Sequence, residues 1–144
     1  MRSLSVIVDT REQQPWRFDG YAVKCISRRL RRGDYSVHGM TTLLAVERKG
    51  LTDLMRSAKT GKLTRQVRKL ARLRYPLVVV EGSIRDMQAA YYRRLGNPAA
   101  IASLVAKLMA VFRVPIVFSS NRQMAEYVAY SFMKESVDHH RRKQ

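Results

Sequence analysis

The stretch "GDYSVHGMTTLLAVERKGLTDL", residues 33–54, joins the pattern of two β-strands to that of a helix. The runs "DYSVHG" and "TTLLAVERK" meet at Gly39, which predicts a hairpin. Residues two apart in a strand point to the same face, so Glu47 and Lys49 project together and Arg48 projects away. Strand pairing then places Asp34, at the start of the first strand, beside Glu47. The stretch therefore predicts an Asp, a Glu and a Lys converging at one end of a sheet.

The composition of the chain indicates a basic globular protein. It has 144 residues, 46% of them hydrophobic, with 28 Lys and Arg against 11 Asp and Glu and a formal net charge of +17. That length supports one domain with a core, and the charge favours a polyanionic partner, nucleic acid above all. No apolar run reaches the roughly 18 residues that a membrane span needs, so we expect no membrane partner.

The termini and the cysteine count suggest an intracellular protein without a structural metal. The apolar run near the N-terminus has five residues, too few for a secretory signal. A single cysteine, Cys25, forms no intramolecular disulfide, and the three histidines lack the spacing of a zinc site. We expect one folded domain over residues 1–138 and a solvated basic tail, "HHRRKQ", over residues 139–144.

The remaining pattern predicts an α/β fold with a mixed central sheet flanked by helices. Further strands are predicted at "LSVIV" (4–8), "YAVKCIS" (21–27), "LVVVEG" (77–82) and "PIVFS" (115–119). A helical pattern runs from Leu51 to about Arg74, with a possible interruption at Gly61.

Three more helices are predicted from capping signals. Ser83 and Asp86 resemble a capping box that opens a helix to about Arg94, and Asn97 with Pro98 opens another to about Arg113. Ser120 or Asn121 caps a last helix, whose apolar residues are expected to face inward. Those residues are Met124, Val128 and Phe132.

The strand that ends in Glu47, Arg48 and Lys49 (ERK) has residue types that suit phosphodiester hydrolysis. Two carboxylates hold a hard divalent cation, and an ammonium group offsets charge on the reacting phosphate. An E-x-K triplet alone is most often an exposed pair of charges at the end of a strand. The longer pattern E-R-K-x-x-x-D, here Glu47 to Asp53, is much rarer by chance.

These motifs resemble those of the XPF-type (ERK motif) structure-specific nucleases, which are related to the restriction-endonuclease-like superfamily. The family pattern is G-D, a variable gap and E-R-K-x-x-x-D, and here it is complete from Gly33 to Asp53. "VDTRE" (8–12), "QVRKL" (66–70), "VVVEG" (78–82) and "VPIVFSSN" (114–121) also match segments of the family. The resemblance covers nearly the whole chain.

The resemblance implies a restriction-endonuclease-like nuclease fold and roles for particular residues. Asp34 and Glu47 become metal ligands for Mg²⁺ or Mn²⁺, Asp9 an additional acid at or beside the metal, and Lys49 the catalytic lysine. The residues with a supporting role are Arg11, Glu12, Arg48, Asp53 and Gln66. Glu81 either reaches the site or is a surface acid at the end of its strand.

Basic and aromatic residues suggest how DNA is held. We read two basic groups as DNA-binding, with a merely solvated surface as the alternative. They are Arg28, Arg29, Arg31 and Arg32 before Gly33, and Lys62, Arg65, Arg68, Lys69 and Arg72 on one side of a helix. Five aromatic residues either stack on unpaired bases or pack in the core. They are Trp16, Tyr21, Tyr35, Tyr91 and Tyr92.

The sequence therefore predicts a stand-alone, divalent-metal-dependent endodeoxyribonuclease. It would cut flaps, forks or branched junctions, in DNA repair or recombination, as a homodimer formed through the helices at 98–112 and 121–137. One alternative is a catalytically inert DNA-binding scaffold or partner subunit of the same fold. Another is a basic RNA-binding protein, which would not need the ERK motif.

Overall fold

The structure is a computed structural model that describes residues 2–144. These residues form one mixed sheet flanked by helices, which confirms the predicted α/β class. The strands are β1 (Leu4–Val8), β2 (Val23–Ser27), β3 (Tyr35–Val37), β4 (Leu44–Gly50), β5 (Tyr75–Glu81) and β6 (Ile116–Ser119). Their order across the sheet is β2-β1-β3-β4-β5-β6.

Strand direction brings several chain segments to one edge of the sheet. β3 is antiparallel to β1 and to β4, so the predicted hairpin is present. β4, β5 and β6 are parallel to one another, with Lys49 beside Val80 and Gly50 beside Glu81. The residues that follow β4, β5 and β6 therefore emerge at the edge where Glu47 and Lys49 lie.

The helices cover both faces of the sheet. They are α1 (Leu51–Thr60), α2 (Lys62–Leu70), α3 (Ala90–Arg93), α4 (Pro98–Phe112) and α5 (Arg122–Arg142), with a short 3₁₀ helix at Arg85–Gln88. The interruption predicted at Gly61 is present, with a φ of +81°, and the second helix ends at Leu70 rather than near Arg74. One core lies between the sheet and α1, α2 and α4, and the other lies between the sheet and α5.

Successive residues of β4 contribute to different cores. Ala45 packs with α1, α2 and α4, whereas Leu44 and Val46 pack on the α5 side. Because side chains alternate along a strand, Glu47 and Lys49 share the face of Ala45, and Arg48 shares the face of Val46. The orientation predicted for the ERK triplet is therefore confirmed.

The prediction of one continuous helix over residues 83–94 is wrong. The capping box forms, because the Ser83 backbone N–H donates to Asp86 Oδ2 and the Asp86 N–H to Ser83 Oγ. The backbone then becomes extended at Ala89, with a ψ of 149°. The 3₁₀ helix and α3 are therefore separate short elements.

The predicted inward face of α5 is displaced by one residue. Asn121 caps the helix as expected, but the buried residues are Ala125, Ala129 and Met133, while Met124 is 48% exposed. Small alanines allow the helix to approach the sheet closely, so the larger Met124 is left outside. The other two predicted residues, Val128 and Phe132, are half-buried at the border of this core.

The predicted tail begins inside α5. Residues 139–142 form its last turn, and His139 Nδ1 lies 2.8 Å from the Tyr75 hydroxyl. Within residues 2–144, no helix is both long and apolar enough to span a bilayer.

Gly33 sets the backbone entering β3. Its φ is +72°, and a Cβ atom there would lie 2.8 Å from the Ala45 Cβ atom and 3.1 Å from the Val46 carbonyl oxygen. Gly39 has a similar φ of +84° but an open surrounding. A Cβ atom at either position would strain the backbone, but only at Gly33 would it also clash with neighbouring atoms. The two glycines therefore separate the cost of backbone strain from the cost of the clash.

We expect Gly33→Ala to lower the free energy of unfolding by roughly 2–5 kcal/mol, because a left-handed alanine and an overpacked site are combined. The matched control Gly39→Ala should cost only about 1–2 kcal/mol. Urea unfolding of both variants measures the difference. Equal losses would show that the close approach of Gly33 to β4 is unimportant.

Candidate active site

Asp34 and Glu47 lie side by side where β3 meets β4. The Asp34 backbone N–H donates to the Val46 carbonyl oxygen at 2.8 Å, and the Arg48 backbone N–H donates to Asp34 Oδ2 at 2.7 Å. The Asp34 and Glu47 carboxyl groups line one cavity, and they are close enough for the charge of Asp34 to raise the pKa of Glu47. The structure thus brings together the two acids that the sequence grouped.

Burial makes this pair of acids unfavourable when both are charged. Burial raises the pKa of Glu47 well above its ordinary value, and the charge of Asp34 adds to the rise. Burial also raises the pKa of Asp34, against the opposing hydrogen bonds from Glu47 and the Arg48 backbone. Two adjacent carboxylates need a proton or a cation between them. A cation bound at this site would relieve the repulsion.

Lys49 is held on the same face by two predicted supporting residues. Its side chain is only 1% exposed, its ammonium group donates to Gln66 Oε1, and Asp53 Oδ2 lies 3.0 Å from it. Asp53 is in the first turn of α1 and Gln66 is on α2. The two helices after the ERK motif therefore fix the ammonium group next to the carboxylates.

Asp9 lines the same cavity but is engaged elsewhere. Its Oδ1 accepts from the Leu30 backbone N–H and its Oδ2 from Arg11 Nε, both at 2.8 Å. Burial acts to raise the pKa of Asp9, but these hydrogen bonds outweigh it and lower the pKa. Arg11 Nη2 also donates to the Leu30 carbonyl oxygen. Asp9 and Arg11 thus anchor the arginine-rich loop at 28–32.

A cavity of about 340 Å³ opens over the two acids. Its lining includes Asp9, Arg11, Asp34, Glu47 and Gln66. Across residues 2–144, no group of three or more Asp, Glu, His or Cys side chains converges as a metal site, so the predicted set of three acids is not assembled. Two carboxylates nevertheless fit Mg²⁺, which keeps several water ligands and also binds substrate phosphate oxygens.

Five of the predicted DNA-binding residues surround this cavity. Arg31, Arg32 and Lys69 line it, and the same three residues line an adjoining hollow with Arg68 and Arg72. Arg29 lines a further hollow beside Arg11. The loop at 28–32, one side of α2 and the residues just after it therefore form one basic surface, here called the basic wall. It consists of Arg31, Arg32, Arg68, Lys69 and Arg72.

The other predicted basic residues are exposed but outside the cavity. They are Arg28, Lys62 and Arg65.

Arg48 and Glu12 lie on the opposite face of the sheet. Arg48 Nε donates to Glu12 Oε2 at 2.8 Å and Nη1 to Glu81 Oε1 at 2.7 Å. Glu81 therefore pairs with Arg48 rather than reaching the cavity. The guanidinium group ties the loop after β1 and the end of β5 to the strand that carries Glu47 and Lys49.

Tyr35 and Trp16 complete this network, which the sequence did not indicate. The Tyr35 hydroxyl donates to Glu12 Oε2 at 2.7 Å and accepts from the Trp16 backbone N–H at 2.8 Å. The two rings stack, and both are buried. They are core residues and do not present a face to nucleic acid. The pairs are far apart in sequence, so no local pattern could have identified them.

The family model described as the ERCC4 domain matches residues 8–132. Among solved structures, XPF from Aeropyrum pernix superposes with a TM-score of 0.78 at 24% identity, covering 92% of this chain and 65% of that one. The same protein in complex with DNA gives a TM-score of 0.75 at 23% identity, covering 94% and 66%. Curated proteins provide no match.

These likenesses show the fold and the family. The chain spans just under two thirds of the length of the two solved XPF chains. The family match covers most of the present chain, including the GD and ERK motifs, and the XPF-type resemblance of the sequence is confirmed. The chain belongs to the ERCC4 domain family.

Proposed function

We propose that this protein is a divalent-metal-dependent endonuclease that hydrolyses phosphodiester bonds of DNA at flaps, forks or branched junctions. The observation that carries the proposal is that the half-buried acids Asp34 and Glu47 line one cavity, with the Lys49 ammonium group on the same face of the sheet. Membership of the ERCC4 domain family and the basic wall around the cavity support it.

Each residue of the site has a proposed task. Asp34 and Glu47 would hold Mg²⁺ or Mn²⁺, and the bound cation would polarise the phosphoryl oxygen and acidify the attacking water. Lys49, fixed by Gln66 and Asp53, orients that water and offsets negative charge as the phosphorus–oxygen bond breaks. The water oxygen bonds to phosphorus and releases a proton to solvent, and the departing oxygen takes up a proton from solvent.

The basic wall is proposed to position the DNA backbone. Arg31, Arg32 and Lys69 reach the cavity itself, so a phosphate bound by them lies next to the carboxylates. Asp9 contributes by holding the arginine-rich loop in place. Phosphate contacts of this kind fix the position of DNA without selecting sequence, which suits an enzyme that recognises DNA structure.

We expect purified protein to cut end-labelled flap or fork DNA with Mg²⁺ and not with chelator. Asp34→Asn and Lys49→Met should each lower the cutting rate at least about 100-fold, because transition-state stabilisation is lost. Methionine preserves the apolar stem of the buried lysine. Plain duplex, nicked DNA and an RNA hairpin complete the substrate set.

The matched control is Glu135→Gln, which removes an acid that is 70% exposed on α5. This variant should cut at the wild-type rate, and circular dichroism verifies that all variants are folded. Binding without cutting on every substrate would contradict the nuclease and support an inert scaffold. Retention of RNA alone would support the RNA-binding alternative.

Metal binding is also measurable without catalysis. Mg²⁺ at 100 times its dissociation constant should stabilise the wild-type protein by about 2.7 kcal/mol, since the ion binds only the folded state. Asp34→Asn should abolish this stabilisation. Asp9→Asn should retain it, because both Asp9 oxygens are already used by Leu30 and Arg11. Thermal unfolding with Mg²⁺ and with chelator gives the result, and loss of the effect only in Asp9→Asn would contradict the assignment.

We also propose that the protein is a homodimer. α4 and α5 lie on opposite faces of the sheet. Both expose large apolar residues, with Val111 63% and Met109 37% exposed on α4, and Tyr127 50% and Met124 48% exposed on α5. Exposed patches of large apolar side chains are typical of an interface between subunits.

Light scattering during gel filtration should give twice the chain mass of 16.7 kDa. Val111→Glu should shift the protein to the monomer mass, because a charge replaces an apolar contact. A wild-type monomer would refute the dimer.

A further inference from the structure

We propose that residues 83–95 form a second nucleic-acid surface, in which Tyr91 stacks on an unpaired base and neighbouring arginines bind the phosphates of the same strand. This inference rests on the proposed function, since it assigns the single-stranded arm of a branched substrate to a particular part of the protein. The strongest supporting features are the exposure of Tyr91 and the uncompensated charge around it.

The segment lies close to the candidate active site. Gly82 follows β5, and a Cβ atom there would lie 3.1 Å from the Leu51 Cβ atom, at the start of α1. A Cβ atom at Gly96 would lie 3.4 Å from Lys59 Cε, near the end of α1. Residues 83–95 therefore run alongside α1, which is about 15 Å long. Lys49 is only two residues before α1 begins.

The segment and the arginine-rich loop at 28–32 lie on opposite sides of the strand that carries Glu47. The arginine-rich loop precedes β3, whereas residues 83–95 follow β5, and β4 lies between those two strands. Met87 and Leu95 pack into the core formed with α1, α2 and α4, on the face of Glu47 and Lys49. A nucleic acid that enters the cavity from the arginine-rich loop and crosses β4 therefore runs towards this segment.

Tyr91 is held with its ring outward. Its side chain is 54% exposed, and its ring makes an edge contact with Tyr92 at 5.1 Å between centroids. Tyr92 in turn packs against the core, so it supports the outer ring. Ile84 is also 48% exposed. A supported, half-exposed aromatic ring is the group on which an unpaired base stacks, whatever its identity.

The charge of the segment matches a phosphate backbone. Arg85, Arg93 and Arg94 are exposed, and none of them forms a salt bridge within residues 2–144. The only acid of the segment, Asp86, accepts from the Ser83 backbone N–H in the capping box. The occupant is therefore an anion with flat apolar groups, and single-stranded nucleic acid has both properties.

The test measures binding apart from cutting. A fluorescein-labelled oligothymidylate of about 20 nucleotides and a blunt duplex of equal length are titrated in chelator, and anisotropy gives both affinities. Tyr91→Ala should weaken single-strand binding about tenfold, the size expected for one stacked base, and change duplex binding less than twofold. Tyr91→Phe keeps the ring and should restore wild-type affinity.

The arginines are tested by salt dependence. Arg94→Gln should reduce the slope of log affinity against log salt concentration by about 0.7 for the single strand, as loss of one phosphate contact requires. The matched control Lys24→Gln, an exposed cation on β2 at the far edge of the sheet, should leave the slope unchanged. An equal change of slope in both variants would show that only the net charge of the protein matters, and it would overturn the assignment.

The outcomes separate this inference from the proposed function. If wild-type protein fails to cut but Tyr91→Ala loses single-strand affinity, the nucleic-acid surface at residues 83–95 is supported and the proposed nuclease function is refuted. If wild-type protein cuts and Tyr91→Ala binds the single strand as well as wild type, the surface is refuted alone. A change of oligomeric mass in Tyr91→Ala, with unchanged single-strand affinity, would assign the segment to a protein contact instead.

Discussion

The close placement of the half-buried carboxyl groups of Asp34 and Glu47 is the constraint around which the rest of the site is arranged. Two acids out of eleven, in a chain of net charge +17, lie together at one cavity. Burial raises the pKa values of both groups, so the arrangement opposes full ionisation in the absence of a cation. This electrostatic cost is the basis of the proposal that a divalent cation binds between the two groups.

The opposite face of β4 provides the rigidity that this placement needs. Arg48 is between Glu47 and Lys49 in the chain but binds Glu12 and Glu81 on the α5 side of the sheet. Because side chains alternate, one tripeptide supplies both the reactive groups and their support. The backbone N–H of Arg48 also donates to Asp34, so this residue connects both faces. Planar guanidinium geometry allows the two carboxylates to be bound through different nitrogens in fixed directions, Nε to Glu12 and Nη1 to Glu81.

Short-range patterns in the sequence predicted much of the site. The alternation in β4 placed Glu47 with Lys49, the turn at Gly39 paired Asp34 with Glu47, and Gly61 divided the helix. The inward face of α5 was mispredicted because hydrophobicity favoured Met124, whereas close packing against a sheet favours the smaller Ala125.

The long-range contacts were not predictable in the same way. Asp9 and Leu30, or Arg48 and Glu12, are brought together only by the complete fold. The family motif placed Asp9 near the metal, but it did not reveal that both oxygens of Asp9 are bound to the arginine-rich loop and its anchor. The sequence is therefore enough to identify the motif, but the structure is needed to see what each acid binds.

The most direct test of the account is anomalous diffraction from crystals of the protein soaked in Mn²⁺. The account predicts one anomalous peak within about 2.0–2.3 Å of carboxylate oxygens of both Asp34 and Glu47, a distance typical of hard cations bound by oxygen. It also predicts that Asp9 remains bound to Leu30 and Arg11. Absence of a peak between Asp34 and Glu47 in fully soaked crystals, or a peak bound by other residues alone, would contradict the central claim.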